Sequence, residues 1–497
     1  MVTIADFFEK NLYKNKSICE IETGKVKSFS EVYKGACERA SGLALKKGSV
    51  VTVVLPNSIE YIEYFIASML SGWIFNPLPF FTQVQELDKI LLYTGPEVLI
   101  TNREDIKCNF NDRYVIIDPK DGIGNHQEFV KEMVDEDTPA ALYYSSGTTG
   151  SPKGVLYSHK NMVSLISSVI RGFCFSEKDR QLAFLPYGHT ASINYNILPA
   201  LMVGCDLYIS QGFEGIRGRF FKILSEYKIT YTEIVPTVLL MLNKLNIDVS
   251  NMDLSNISFI GCGSSSLPLS AQSEFMDKYG VSIANLYGLS ETGPSHVDDP
   301  RIQGWSQGTI GNPLDVNKCK IADDGEILLK GENIFIGYYK NKKLYNEVVK
   351  NGWFHTGDLG MEKDGKFYFV DRKKDLIILG GINIIPMEIE DIIYEHPEVL
   401  ECAVVGMDSD LHGEEVAAAV IIQDCSLEKD KRVISQEIKD ICKKRLSNYK
   451  VPKKIFFLKS LPKTHSNKII RRKVVEILNA IKFKKRQGVK NEKNSRD

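Results

Sequence analysis

The apolar positions of the chain follow two periods in alternation. Val50, Val51, Thr52, Val53 and Val54 form an unbroken β-branched run, the pattern of a strand covered on both faces. Asn57 with Glu60 three residues on predicts a capping box, and Ile62, Phe65, Ile66, Met69 and Leu70 predict a helix that Gly72 ends. The alternation continues with strands predicted at 97–101, 113–118 and 180–185 and a helix at 160–171. Its repetition predicts an α/β fold of parallel-rich sheets covered by helices.

Beyond Asp371 the pattern changes. A short strand at 376–379 ends at Gly380-Gly381, and Pro386 suits the first turn of a helix with Met387, Ile389, Ile392 and Ile393 on one face. Strands at 401–406 and 415–422 and a helix near 435–445 follow. The expected organisation is a large N-terminal domain over 1–372 and a small, mobile α+β C-terminal domain over 373–482. A basic tail, 483–497, is mostly Lys, Asn, Gln and Ser and is expected to be disordered.

Composition narrows the class. The net charge of −1 over 497 residues gives no reason to expect nucleic-acid binding. Ten cysteines with no Cys-x-x-Cys pair fit reduced thiols in a cytoplasmic protein. The N-terminus shows no signal peptide. The most apolar stretch, 64–81, is broken by Gly72, Asn76, Pro77 and Pro79, short of the roughly 20 clean residues a membrane span needs, so no transmembrane segment is expected.

Candidate chemistry concentrates in Tyr143-Tyr144-Ser145-Ser146-Gly147-Thr148-Thr149-Gly150-Ser151-Pro152-Lys153-Gly154. Glycines let backbone N–H groups converge on an anion, the hydroxyls add short donors and Lys153 adds a charge. A polar surface turn has a similar composition, but the order of residues here reads as a phosphate loop. It is not the P-loop of kinases and GTPases, because Pro152 stands where that pattern requires its second glycine.

The order Ser-Ser-Gly-Thr-Thr-Gly-Ser-Pro-Lys-Gly resembles the nucleotide-binding loop of the acyl-adenylate-forming superfamily, the AMP-dependent synthetases and ligases. Further segments resemble that superfamily in sequence order: Leu185-Pro186-Tyr187-Gly188-His189, Asn285-Leu286-Tyr287-Gly288-Leu289-Ser290-Glu291-Thr292, Gly325-Glu326-Ile327, Gly337-Tyr338-Tyr339, Trp353-Phe354-His355-Thr356-Gly357-Asp358-Leu359, Asp371-Arg372-Lys373-Lys374-Asp375 and Leu461-Pro462-Lys463-Thr464 ahead of Lys468. The resemblance implies an ATP-dependent, magnesium-assisted activation of a carboxylic acid to an acyl adenylate, then transfer to the thiol of CoA or of a carrier-protein phosphopantetheine. It implies β- and γ-phosphate binding by Ser145, Ser146, Gly147, Thr148, Thr149, Gly150 and Lys153, adenine binding by Asn285, Tyr287 and Gly288, and α-phosphate binding by Ser290. Glu291 is the implied magnesium ligand, Asp358 the acceptor of the ribose hydroxyls, Arg372 a ribose or phosphate contact, and Lys468 the catalytic cation. A hinge falls on Lys374, and Gly380 and Gly381 would let a pantetheine arm pass. One departure is Asn467, which replaces the glycine before the lysine; Asn tolerates left-handed backbone better than other non-glycine residues.

The same resemblance frames an acyl pocket with the segments 189–196, 231–239, 261–266 and 293–297, and in it His189, Thr190, Asn194, Gly263 and Ser264, where His189 either gates or lines it. Enzymes of this superfamily that activate α-amino acids place an aspartate just after the pocket's opening motif. Here Thr190, Ala191, Ser192 and Ile193 follow His189, so a buried ammonium would lack a partner and α-amino acids are disfavoured. The polar lining leans toward a small, aryl or functionalised acid. The rival readings are a stand-alone loader of an acyl carrier protein, a luciferase-like oxygenase sharing the first half-reaction, and a non-catalytic nucleotide-binding relative. Retention of Lys153, Glu291, Asp358, Arg372 and Lys468 disfavours the last.

Overall fold

The computed structural model describes residues 3–120, 129–145, 152–245, 247–409, 413–423, 430–464 and 468–494, with the backbone alone at 145 and 484–494. The β-branched run forms the strand Val50–Val54, buried at every position, at the middle of a seven-stranded sheet. Its neighbours Ile74–Pro77 and Val98–Thr101 run parallel to it, and Pro139–Ser145 extends the parallel set. Lys153–Ser158 then turns back antiparallel to Pro139–Ser145, which brings Lys153 opposite Ser145 across the base of the phosphate-loop segment.

A second seven-stranded sheet is ordered Ile283–Leu286, Phe259–Gly263, Tyr231–Ile234, Arg180–Ala183, Asp206–Ile209, Ser17–Glu20 and Val26–Ser28. All its pairings are parallel except the last hairpin. The helix Ile59–Ser71 is buried on nearly every side and shares one core with strands of both sheets. It stops at Gly72 as predicted, but its cap is Ser58, whose hydroxyl accepts from the Tyr61 amide. Asn57, expected to cap it, instead donates its amide to the carbonyls of Phe184, Leu185 and Ser210 and accepts from the Tyr187 amide. This ties the first sheet to the segment that opens the predicted acyl pocket.

A third, antiparallel sheet carries the hairpin Trp353–Lys363 and Lys366–Arg372. Past it, Ile377–Leu379, Ile382–Ile384, Val399–Ser409, Gly413–Ile422 and Lys454–Phe457 build a separate mixed sheet. The helices Pro386–Ile393 and Lys431–Arg445 cover it, with Pro386 in the first turn as predicted. The architecture is therefore a large α/β N-terminal part with parallel-rich sheets and a small α+β C-terminal part with its own apolar cores. The last helix, Arg471–Asn494, runs through most of the stretch expected to be disordered. That stretch lacks proline and is rich in helix-forming Lys, Arg, Gln and Glu, which outweighs its low hydrophobicity. The nine described cysteines are free thiols, and no described helix is long and apolar enough to cross a membrane.

Candidate active site

A cleft of about 930 Å³ opens between the two parts of the chain. Its large-domain wall includes Tyr143, Tyr144, His189, Thr190, Ser264, Gly288, Ser290 and Pro294; the other wall includes Lys374, Lys463, Thr464 and Lys468, with Arg372 between. Each wall comes from chain ends: Ser264 follows the strand Phe259–Gly263, Gly288 follows Ile283–Leu286, and Arg372 ends Lys366–Arg372. Strand ends of a parallel sheet leave backbone and side chains facing a common crevice, which is where ligands of such sheets bind.

Asp358 and Arg372 face each other across their hairpin, with Arg372 Nε 3.6 Å from Asp358 Oδ1. The Tyr287 hydroxyl donates to Asp358 Oδ2 at 3.0 Å. Burial raises the pKa of Asp358 above the usual carboxylate range, and Arg372 and the Tyr287 bond oppose this. Tyr287 itself packs against Phe369 and His296. Asn285 spends its amide N–H on the Thr309 carbonyl at 3.1 Å, which leaves its amide oxygen as the acceptor for an exocyclic amine. Glu291 is buried, and its Oε1 accepts from the Tyr338 hydroxyl at 2.9 Å. The Tyr157 hydroxyl holds the Ser290 carbonyl at 2.8 Å, fixing the turn between them.

Lys468 reaches this group from the C-terminal part. Its amide donates to Thr464 Oγ1 at 3.1 Å and its carbonyl accepts from the Thr464 amide, a short loop that sets its position. Burial, then repulsion from Arg372 and Lys374, pushes the Lys468 ammonium down to about 8, while Asp358 and Glu291 pull the other way. Lys374, in the turn Lys373–Asp375, is likewise lowered by burial, with Arg372 and Lys153 adding to it. Four cations thus converge on two carboxylates, an excess of positive charge suited to a polyanion.

Of the residues predicted from sequence, His189, Thr190, Ser264, Gly288, Ser290, Arg372, Lys374 and Lys468 line the cleft. Asp358, Tyr287 and Glu291 stand behind its surface, in contact with or in the field of residues that line it. Ser146, Gly147, Thr148, Thr149, Gly150 and Asn467 lie outside the described residues, as does the side chain of Ser145. Asn194 and Gly263 do not border the cleft: Asn194 is buried in the π-helical turn Ile193–Ile197, and Gly263 lies under Leu286. Gly380 and Gly381 are not brought to it either. They make an exposed turn between Ile377–Leu379 and Ile382–Ile384, with φ of 56° and 88°, conformations that favour glycine. Arg471, a candidate for CoA phosphates by its charge, is engaged by Glu390 and by the Val404 carbonyl. Tyr195 and Glu233 also line the cleft; both fall in segments expected to frame the acyl pocket, 189–196 and 231–239, although neither side chain stands out individually in the sequence.

Among the described residues no group of three or more His, Cys, Asp or Glu could hold a metal by itself. A single buried carboxylate, Glu291, fits a magnesium ion carried in on phosphate oxygens, since that ion keeps most of its ligands from phosphate and water.

Two family models match the chain: the AMP-binding enzyme model over residues 8–339 and the AMP-binding enzyme C-terminal domain model over residues 388–468. The sulfoacetate–CoA ligase of Cupriavidus necator is 30% identical over 469 residues, covering 89% of this chain and 89% of that one. The o-succinylbenzoate CoA synthetase of Bacillus subtilis, solved with its acyl-adenylate intermediate, superposes with a TM-score of 0.85 at 27% identity, covering 95% of this chain and 98% of that one. The same synthetase solved with ATP and magnesium superposes at 0.83 with 27% identity, covering 94% and 98%.

Proposed function

The chain belongs to the AMP-binding enzyme family, and from that premise we propose that it is an ATP-dependent acid–CoA ligase, which activates a carboxylic acid as its acyl adenylate and passes the acyl group to CoA. The observation that carries this reading is the convergence of Lys468 with Arg372, Lys374, Asp358 and Glu291 at the cleft between the two parts of the chain.

An AMP-forming acid–thiol ligase works in two half-reactions. In the first, a carboxylate oxygen attacks the α-phosphorus of MgATP and the bond to the bridging β-oxygen breaks, so pyrophosphate leaves with the electron pair. The carboxylate is already ionised near pH 7 and needs no base; the barrier is alignment and charge crowding. Lys468 would stand between the carboxylate and the α-phosphate, with Ser290 donating to the latter. Lys153 and the segment 145–154 would take the outer phosphates, and Glu291 the magnesium they carry. Asp358 and Arg372 would hold the ribose, and Asn285 and Tyr287 the adenine. In the second half-reaction a thiolate attacks the acyl carbon, the bond to the adenylate oxygen breaks, and AMP leaves. We place the domain division at 372/373 and the hinge at Lys374, so that Gly380 and Gly381 approach the cleft only after the C-terminal part rotates. The cytoplasm is proposed as its compartment on the free thiols alone.

The test is ATP–pyrophosphate exchange across a panel of carboxylic acids, followed by CoA with the best acid. CoA-dependent AMP release with thioester formation supports the reading. Exchange without discharge to CoA would assign the chain to loading a carrier protein, and no exchange with any acid would return it to the non-catalytic alternative.

A pH dependence accompanies this role. Lys468 must be charged to neutralise the developing phosphorane, and burial with its cationic neighbours lowers its pKa to about 8 before nucleotide binds. Being a base with a lowered pKa, it is charged below that value and neutral above it. Hence kcat/KM for exchange falls as pH rises through about 8, whereas kcat, read with the phosphates bound, keeps its limb at higher pH because anions favour the ammonium. A pH profile of both constants with one acid checks this; coincident limbs would remove Lys468 as the titrating group.

A further inference from the structure

Glu233 lies in the wall of the cleft, 1% exposed, and its Oε2 has no hydrogen-bond partner. Two buried neighbours, Tyr195 and Tyr231, also carry hydroxyls without partners. Both tyrosines lie within the electrostatic reach of Glu233, and the three groups do not satisfy one another. A buried polar group left unpaired costs free energy, and a carboxylate costs most, so such a cluster is expected only where something from outside completes it.

The strand register places the cluster. Glu233 is paired with Gly261, and Tyr231 with Phe259 on one side and Gln181 on the other. Residues two apart share a face of a strand, so Tyr231 and Glu233 point the same way. Gly261 makes room for the Tyr231 hydroxyl: a Cβ there would come within 2.7 Å of it and 2.5 Å of Leu286. Ser264, just past the end of the adjacent strand Phe259–Gly263, lines the same cleft as Ser290 and Lys468. Glu233 is therefore one pleat deeper than the end where the carboxylate of a substrate would meet Lys468.

Resting on the acid–CoA ligase reading, we propose that Glu233 is a specificity-determining residue that receives a protonated amine at the end of the acid distal to its carboxylate, so that the substrates are ω-amino or aminoalkyl-substituted acids. An ammonium has three N–H donors and meets three acceptors, the Glu233 carboxylate and the hydroxyls of Tyr195 and Tyr231. It also brings the countercharge this carboxyl lacks. Burial alone acts on the pKa of Glu233, raising it to about 8, with no cation opposing. Before an amine arrives, the side chain near pH 7 is mostly protonated, and an arriving ammonium makes it release that proton to solvent. A substrate hydroxyl would satisfy one group of the three, and a methyl none. The sequence-based argument, from the lack of an aspartate after His189, was against α-amino acids; Glu233 supplies a carboxylate from another strand, placed for an amine distal to the substrate's carboxylate.

The test uses the purified full chain with magnesium and a non-hydrolysable ATP analogue. Titration calorimetry compares the ω-amino acids from 4-aminobutanoate to 8-aminooctanoate, and 4-(aminomethyl)benzoate, with their methyl isosteres, in buffers of different ionisation enthalpy. At least one amino acid is expected to bind on the order of 100-fold tighter than its isostere, with proton release near pH 7. Glu233→Gln is expected to remove that preference and leave the isostere unchanged. Methyl isosteres binding as tightly throughout would overturn the assignment, as would Glu233→Gln weakening both members of a pair alike. Should Glu233→Gln not fold, the wild-type comparison decides alone. Exchange with uncharged acids only, with no amine preference, would overturn the pocket assignment and keep the ligase reading. An amine preference in binding without exchange would sustain the assignment and sink that reading.

Discussion

Replacing Lys468 by alanine is expected to lower acid-dependent ATP–pyrophosphate exchange by about 10³-fold or more, while a supplied acyl adenylate is still discharged to CoA at close to the wild-type rate. The expectation follows from where the ammonium sits. It is held by the Thr464 loop at the cleft, partly desolvated, with Arg372 and Lys374 pressing on it and Asp358 and Glu291 drawing it in. A fixed, desolvated cation stabilises charge developing between a carboxylate and a phosphate far better than a solvated one, because nothing need reorganise as the reaction proceeds. Thioester formation presents no such crowding, since the nucleophile is one thiolate and the leaving group a monoester. The two half-reactions are measured separately, exchange with ATP and acid, discharge with synthetic adenylate and CoA. A parallel loss in both would mean that Lys468 docks the C-terminal part rather than neutralising charge.

What could be read from sequence and what could not divides along the range of the contacts involved. The strand Val50–Val54 and the helix after it were legible because burial on both faces and a 3.6-residue period are local properties. Asn57 was misplaced because its partners are the carbonyls of Phe184, Leu185 and Ser210, more than a hundred residues away, and no local pattern contains them. The cleft residues Arg372, Ser290 and Lys468 were legible through motifs whose order the backbone preserves. Glu233 was legible only to its segment: 231–239 was expected to frame the acyl pocket, but which of its side chains is buried at the cleft depends on the pairing of Tyr231–Ile234 with a parallel strand on either side, which no local pattern contains. The exposed turn at Gly380-Gly381 shows the converse, a motif read correctly as a turn whose expected place at the thiol path depends on a domain orientation that local sequence does not carry.

That orientation leads to the second large effect. Lys374→Pro is expected to leave exchange within about threefold of wild type and to slow thioester formation on the order of 100-fold. The residue lies in the 3₁₀ turn Lys373–Asp375, two residues past the end of the large part's last hairpin and three before the strand Ile377–Leu379. Proline holds φ near −65°, a value the 3₁₀ conformation already uses, so the arrangement that brings Lys468 to the cleft is retained. Rotation of the C-terminal part requires φ/ψ changes at a few such positions, and the ring withholds them here. Charge and backbone are separated by a second variant. Lys374→Ala removes one of the cations that lower the pKa of Lys468, so it should move the alkaline limb of exchange to higher pH without slowing discharge. Unchanged overall turnover in Lys374→Pro would mean that both half-reactions run in one arrangement of the chain. In that case the pantetheine path must open at residues other than Gly380 and Gly381.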